Sequence, residues 1–143
     1  MYFRYIAFLI VENYGQLSLA QKINTMKPLT AKDLMIGDWV FDCKNISYNR
    51  MTSEALCAFE DGQLAIIPIP LTKEILKKNG FEYDHYYHNW IYNEFTINYG
   101  HLIDEDDGDY LFIWVADTSV KLTYVHELQH ALRLCGIEKE INL

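Results

Sequence analysis

The chain has 143 residues, half of them apolar and 15% aromatic, with 12 basic against 20 acidic side chains and a formal net charge of −8. That length suits one compact domain burying roughly two-thirds of its unfolded surface, and the acidic balance argues against nucleic acid or an anionic membrane as partner. Three cysteines, Cys43, Cys57 and Cys135, form no C-x-x-C pair and are odd in number, so they are expected to be reduced, buried thiols of a cytoplasmic protein.

The N-terminal run "YFRYIAFLIV", residues 2 to 11, is too short to span a bilayer and is interrupted at once by Glu12 and Asn13. No clear basic start or small-residue cleavage site marks it as a signal peptide. A first strand or helix packed on the core and an untranslated upstream extension both fit it. Met26 has the position of a second start, because organised patterning begins there, so residues 1–25 are set apart as an extension and 26–143 as a single domain.

From residue 29 onward the pattern predicts strands with two helices. "LMIGDWVFDC", 34 to 43, is a β-prone opening strand. In "EALCAFEDGQLAIIPI", 54 to 69, two apolar runs meet at Asp61-Gly62, which predicts a hairpin with a two-residue turn. "PLTKEILKKNGF", 70 to 81, is a short helix by its ends: Thr72 can cap, Leu71 and Leu76 form a staple, Gly80 ends it and Phe81 folds back on Leu76. "EYDHYYHNWIYNEFTINYG", 82 to 100, continues in strands with a turn near His88-Asn89. The chain then turns at Asp107-Gly108 into its most apolar strand, Tyr110 to Val115, expected at the centre of the sheet.

"YVHELQHALRLCGI", 124 to 137, is the second helix, with Thr123 as its expected cap and Gly136 and Ile137 closing it. At 100° per residue Val125, Leu128, Leu132 and Cys135 share the face that packs on the sheet, with Ala131 at its margin. His126, Gln129, His130 and Arg133 share the opposite, polar face. His126, Glu127 and His130 spell H-E-x-x-H, a spacing that puts two imidazoles within reach of one zinc ion and leaves Glu127 as general base for a bound water.

The surrounding sequence does not complete such a site. The continuation used by one large group of zinc peptidases needs glycine at position 133 and histidine at position 136, where Arg133 and Gly136 stand. Only thirteen residues follow His130, too few for a further ligand-bearing helix, so a third ligand would have to be His85, His88, His101 or Asp104. Arg133 also projects a permanent positive charge between the two imidazoles. The structural alternative is that His126 and Gln129 hydrogen-bond strand backbone and fix the helix on the sheet.

The mid-chain "PLTKEILKKNGF" together with the closing "YVHELQHALRLCGIEKEI" resembles a group of small uncharacterised proteins from gut Bacteroidetes and their phages or prophages. The likeness covers roughly residues 29 to 143. In that group the closing helix is of the kind V-H-x-L-Q-N, so His126, Leu128 and Gln129 match. Glu127 and His130 depart from the pattern, where glutamine and asparagine are common. The resemblance therefore implies that H-E-x-x-H is a local coincidence, and it implies no activity.

Two other stretches suggest sites. "DEDDGD", 104 to 109, has the acidity of a calcium loop, but Gly108 falls on an alternating ligand position and no glutamate closes the loop at the twelfth, so a solvated hairpin tip is expected. "YDHYYHNWIY", 83 to 92, offers Tyr83, Tyr86, Tyr87, Trp90 and Tyr92 as a candidate interface, since such side chains bury area at low entropic cost. The sequence thus predicts an α+β domain, mainly a twisted antiparallel sheet or partial barrel with one short mid-chain helix and a C-terminal helix packed on it. Its expected role is a non-catalytic accessory or interaction domain without cofactor, binding a protein partner or itself. The alternative is a small zinc-dependent hydrolase.

Overall fold

The computed structural model describes residues 28–101 and 109–143. The extension at 1–25, the turn at Asp107-Gly108, most of the acidic tip and the side chain of His101 lie outside them. A short 3-10 helix, Ala31–Asp33, precedes strands β1 (Trp39–Asp42) and β2 (Ser47–Arg50), helix α1 (Ser53–Glu60), β3 (Ile66–Pro68) and helix α2 (Lys73–Lys78). Then come β4 (Glu82–Asp84), β5 (Asn89–Tyr92), β6 (Phe95–His101), β7 (Asp109–Val115), β8 (Thr118–Leu122) and helix α3 (Val125–Leu134). The fold is α+β, as the sequence predicts.

The strands form two antiparallel sheets, ordered β2-β1-β3 and β4-β5-β6-β7-β8. The larger is an open meander, not closed into a barrel. Among the described residues the two meet edge to edge at one bridge, Pro70 to Tyr124. There Leu71 N–H donates to the Thr123 carbonyl at 2.9 Å and Val125 N–H to the Ile69 carbonyl at 2.8 Å.

The small sheet divides two apolar clusters through the period-2 alternation of its strands. Phe41 and Ile67 point into the main core, where α3 contributes Val125, Leu128, Ala131 and Leu132 and the large sheet Trp90, Phe95, Ile97, Leu111 and Ile113. Val40 and Ile66 point the other way, against Leu34 and Met51, with Ala55, Leu56 and Phe59 of α1 over them. The hairpin expected at Asp61-Gly62 is thus replaced by a helix followed by a strand. The Thr72 type of start recurs here: Thr52 accepts from Ala55 N–H at 3.1 Å, and Ala55, Leu56 and Phe59 form a helical stripe. Gly62, with φ of +73°, ends the helix instead of making the tip of a hairpin.

Helix α2 forms as its sequence dictates. Thr72 Oγ1 accepts from Ile75 N–H at 3.3 Å, Gly80 takes φ of +76°, and Phe81 N–H returns to the Leu76 carbonyl at 3.0 Å. Between β4 and β5 the chain turns at 85–88, where the sequence places a turn, and it turns again at Asn93 and Glu94. Strand β7 is interior but second from the edge; β6 holds the middle. Its alternation sends Leu111 and Ile113 into the core and leaves Trp114 exposed on the far face. Among the cysteines, Cys43 is buried and its thiol is pushed up to about 11 by burial and by Asp42. Cys57 and Cys135 are exposed, contrary to expectation. Cys135 leaves the apolar stripe because the helix ends at Leu134 and Gly136 redirects the chain.

Candidate functional site

Helix α3 starts at Tyr124, whose backbone is extended, and the capping group is Glu127 where the sequence suggests Thr123. One Glu127 carboxylate oxygen accepts from Thr123 N–H at 2.6 Å and Tyr124 N–H at 3.0 Å. These are amides the helix cannot satisfy itself, and a carboxylate in the first turn also favours the positive end of the helix dipole. The glutamate of H-E-x-x-H is therefore occupied in starting its own helix.

The polar face of α3 is turned partly toward the chain: His126 and Gln129 are buried, His130 is half-buried and Arg133 is exposed. His126 and Gln129 are 4% and 6% exposed, as deep as many core side chains. Gln129 clamps the entrance of β1 from both sides: its Oε1 accepts from Trp39 N–H at 2.9 Å and its Nε2 donates to the Gly37 carbonyl at 3.1 Å. This is the backbone-fixing role the sequence assigns to Gln129. His126 does not share it. Its ring stacks on Tyr124 with centroids 5.7 Å apart and meets His130 edge-on at 5.7 Å, while its buried Nδ1 has no partner among the described residues. Burial pushes the His126 pKa below its ordinary value; Glu127, Asp38 and Asp33 pull it up and His130 pushes it further down.

Next to Gln129 lies a group the sequence does not announce. Asp38 is fully buried and takes three donors: His130 Nε2 at 2.6 Å and Met35 N–H at 2.7 Å on one oxygen, Arg133 Nη1 at 2.8 Å on the other. Burial pushes the carboxyl pKa up, but the His130 hydrogen bond, the Met35 amide, the His130 charge and the Arg133 hydrogen bond outweigh it and hold it below the ordinary 3.8. Arg133 thus reaches across to Asp38 instead of lying between the imidazoles. A carboxylate placed between an imidazole, a guanidinium and a backbone amide joins α3 to the turn before β1 across 92 residues of sequence.

These contacts bear on the H-E-x-x-H reading. A zinc peptidase needs two free imidazole nitrogens, a third ligand and an unengaged carboxylate. Here His130 Nε2 is held by Asp38 and Glu127 by two amides, and no three His, Cys, Asp or Glu side chains among the described residues are gathered to hold an ion. His85 and His88 sit on the β4–β5 turn with Tyr83; Asp104 lies outside the described residues.

That turn is the second candidate. The Asp84 carboxylate accepts from Tyr86 N–H at 2.7 Å and Tyr87 N–H at 3.1 Å, and the Tyr83 hydroxyl meets His88 Nδ1 at 3.2 Å. His88 adopts a left-handed φ of 53°, which closes the loop tightly. The result projects Tyr86 and Tyr87, 82% and 70% exposed, packed edge to face with centroids 4.7 Å apart. The other three aromatics of the predicted interface are withdrawn from it. Trp90 is in the core, Tyr83 pairs with it across β4 and β5, and Tyr92 leans on Phe81. Period-2 alternation sends these side chains inward, whereas the turn residues escape it.

No helix among the described residues is long and apolar enough to cross a membrane. No family model, curated protein or solved structure matches the chain.

Proposed function

We propose that this chain is a non-catalytic protein-interaction domain, acting in the cytoplasm as an accessory protein whose sequence resemblance points to a phage or mobile-element origin. The observation that carries the reading is the braced pair Tyr86 and Tyr87, two large rings held out into solvent by hydrogen bonds from their own backbone to Asp84. Rings ordered before binding lose little conformational freedom on contact, which is why tyrosine serves protein-binding loops so well. His130 and Glu127, which would otherwise favour chemistry, are engaged in holding α3 in place.

The test is site-specific photo-crosslinking in the source cells. With a photoreactive residue at Tyr86, a defined partner protein is expected to be captured, and the capture is expected to disappear when Tyr87→Ser is added. Labelling no different from that given by a probe at Glu94, on the next turn, would overturn the proposal. Elemental analysis of the natural protein serves beside it: stoichiometric zinc lost in His130→Asn would replace the proposal by zinc-dependent hydrolysis through His126, Glu127 and His130.

A further inference from the structure

Among the described residues strand β8 is the last strand of the large sheet, and Thr118, Ser119, Val120 and Lys121 are all exposed. The direction of its unpaired backbone groups can be read from its continuation. The Thr123 carbonyl and the Val125 N–H face away from β7, because both bond to the segment 69–71. With a period of two, Ser119 and Lys121 aim their N–H and C=O groups to that same side, while Thr118, Val120 and Leu122 face β7. The segment 69–71 occupies only the end of this edge. Among the described residues the stretch from Thr118 to Lys121 stays open, and Asp117 stands just before it in the β7–β8 turn.

Charge then selects what fits there. An antiparallel pairing of β8 with β8 of a second copy has three registers that use this stretch. Centring it on Lys121 sets two lysines against each other and runs into the part already bonded to Leu71. Centring it on Val120 faces each Lys121 with a serine. Centring it on Ser119 places each Lys121 opposite Asp117 of the second copy, twice by symmetry, and puts the two small serines on the axis. Opposite charges facing across strands are favourable and like charges are not.

We propose that the β8 edge binds a second copy of this chain, antiparallel, about a two-fold axis through Ser119, with Lys121 of each copy paired to Asp117 of the other. The pairing continues the large sheet across the dimer. In β7, Trp114 stands directly opposite Ser119, so the two serines leave room beside both Trp114 rings, each now 61% exposed. Phe112, opposite Lys121, meets Trp114 edge to face at 5.7 Å and extends that surface. A short edge bearing one lysine is also how monomeric proteins discourage strand addition, and here the Asp117 of a second copy is what answers that lysine.

The test is sedimentation of the full chain across a wide range of concentration, with two exposed charges exchanged. A reversible monomer–dimer equilibrium is expected. Lys121→Asp or Asp117→Lys alone should weaken it by at least roughly tenfold, since each turns two attractions into two repulsions, and the double exchange should restore it. Amide hydrogen exchange should slow with concentration at Ser119 and Lys121 but not at Thr118 and Val120, which already bond to β7. A monomer at every concentration, or a dimer indifferent to the single exchanges, would overturn the proposal. Tyr86→Ser with Tyr87→Ser should leave this dimer intact, so the result stands apart from that of the tyrosine turn.

Discussion

The stretches 83–92 and 124–133 are built from the same kinds of side chain, tyrosine, histidine and carboxylate, yet they end in opposite situations. In the helix the carboxylate of Glu127 and the imidazole of His130 are tied to backbone amides and to a buried aspartate from a distant segment. In the turn the carboxylate of Asp84 accepts from the amides of nearby Tyr86 and Tyr87, and the rings of those two residues face water. Residues that suggest chemistry are consumed by the fold in one place and displayed by it in the other. What separates them is whether a distant part of the chain folds over them.

The largest effect should come from breaking the buried side of this comparison. Asp38→Ala removes the buried anion that satisfies His130, Arg133 and the Met35 amide together, and leaves all three without their acceptor. A loss of about 3–5 kcal/mol is expected in urea unfolding. Asp84→Ala removes the corresponding carboxylate of the turn, where water can replace it, and should cost less than about 1 kcal/mol. Equal losses at the two positions would show that the distinction drawn between them is wrong.

Gln129→Ala comes next. It orphans the Trp39 N–H and the Gly37 carbonyl at the entrance of β1, so about 1–3 kcal/mol should be lost. Slow hydrogen exchange at the Trp39 amide in the natural protein, and fast exchange in the variant, would locate the loss at that clamp.

How far this arrangement could be read beforehand depended on the range of the forces involved. Helix α2 was legible from Thr72, Leu76, Gly80 and Phe81 because each of its signals acts within one or two turns of chain. Helix α1 carried signals of the same kind in Thr52, Ala55, Leu56 and Phe59, but Asp61-Gly62 serves a hairpin and a helix end equally well. Only the second cluster around Leu34 and Met51 decides between them. The periodicity of α3 correctly grouped His126, Gln129, His130 and Arg133 on one face. Nothing local revealed that Asp38 lies beneath that face, since an ion pair spanning 92 residues leaves no trace in a periodic pattern. The polar face itself was the available hint: four side chains able to donate, gathered together, invite a search for a buried acceptor.

His126 sharpens the comparison through pH. Its folded pKa lies below the ordinary 6.5 because burial penalises the cation more than Glu127, Asp38 and Asp33 favour it. The unfolded chain therefore takes up a proton near pH 6.5 that the folded chain still refuses, so stability falls as pH drops below 6.5 until the folded pKa is reached. The slope is at most about 1.4 kcal/mol per pH unit. His126→Phe, which keeps a ring against Tyr124, should flatten that part of the profile. A denaturation midpoint in the natural protein that is level between neutral pH and pH 5 would contradict the burial of an uncharged His126.

The smallest stability effect belongs to the exposed side, and there the smallness is what matters. Tyr86 and Tyr87 contact each other more than they contact the core, so Tyr86→Ser with Tyr87→Ser removes little buried area. The unfolding free energy should stay within about 0.5 kcal/mol of the natural value. Aromatic side chains that stabilise nothing in the monomer and are nevertheless held in a fixed turn are placed to be covered by something else. If the double substitution instead destabilised the chain by several kcal/mol, the pair would belong to the core of this domain, and the case for a partner at the turn would fail along with it.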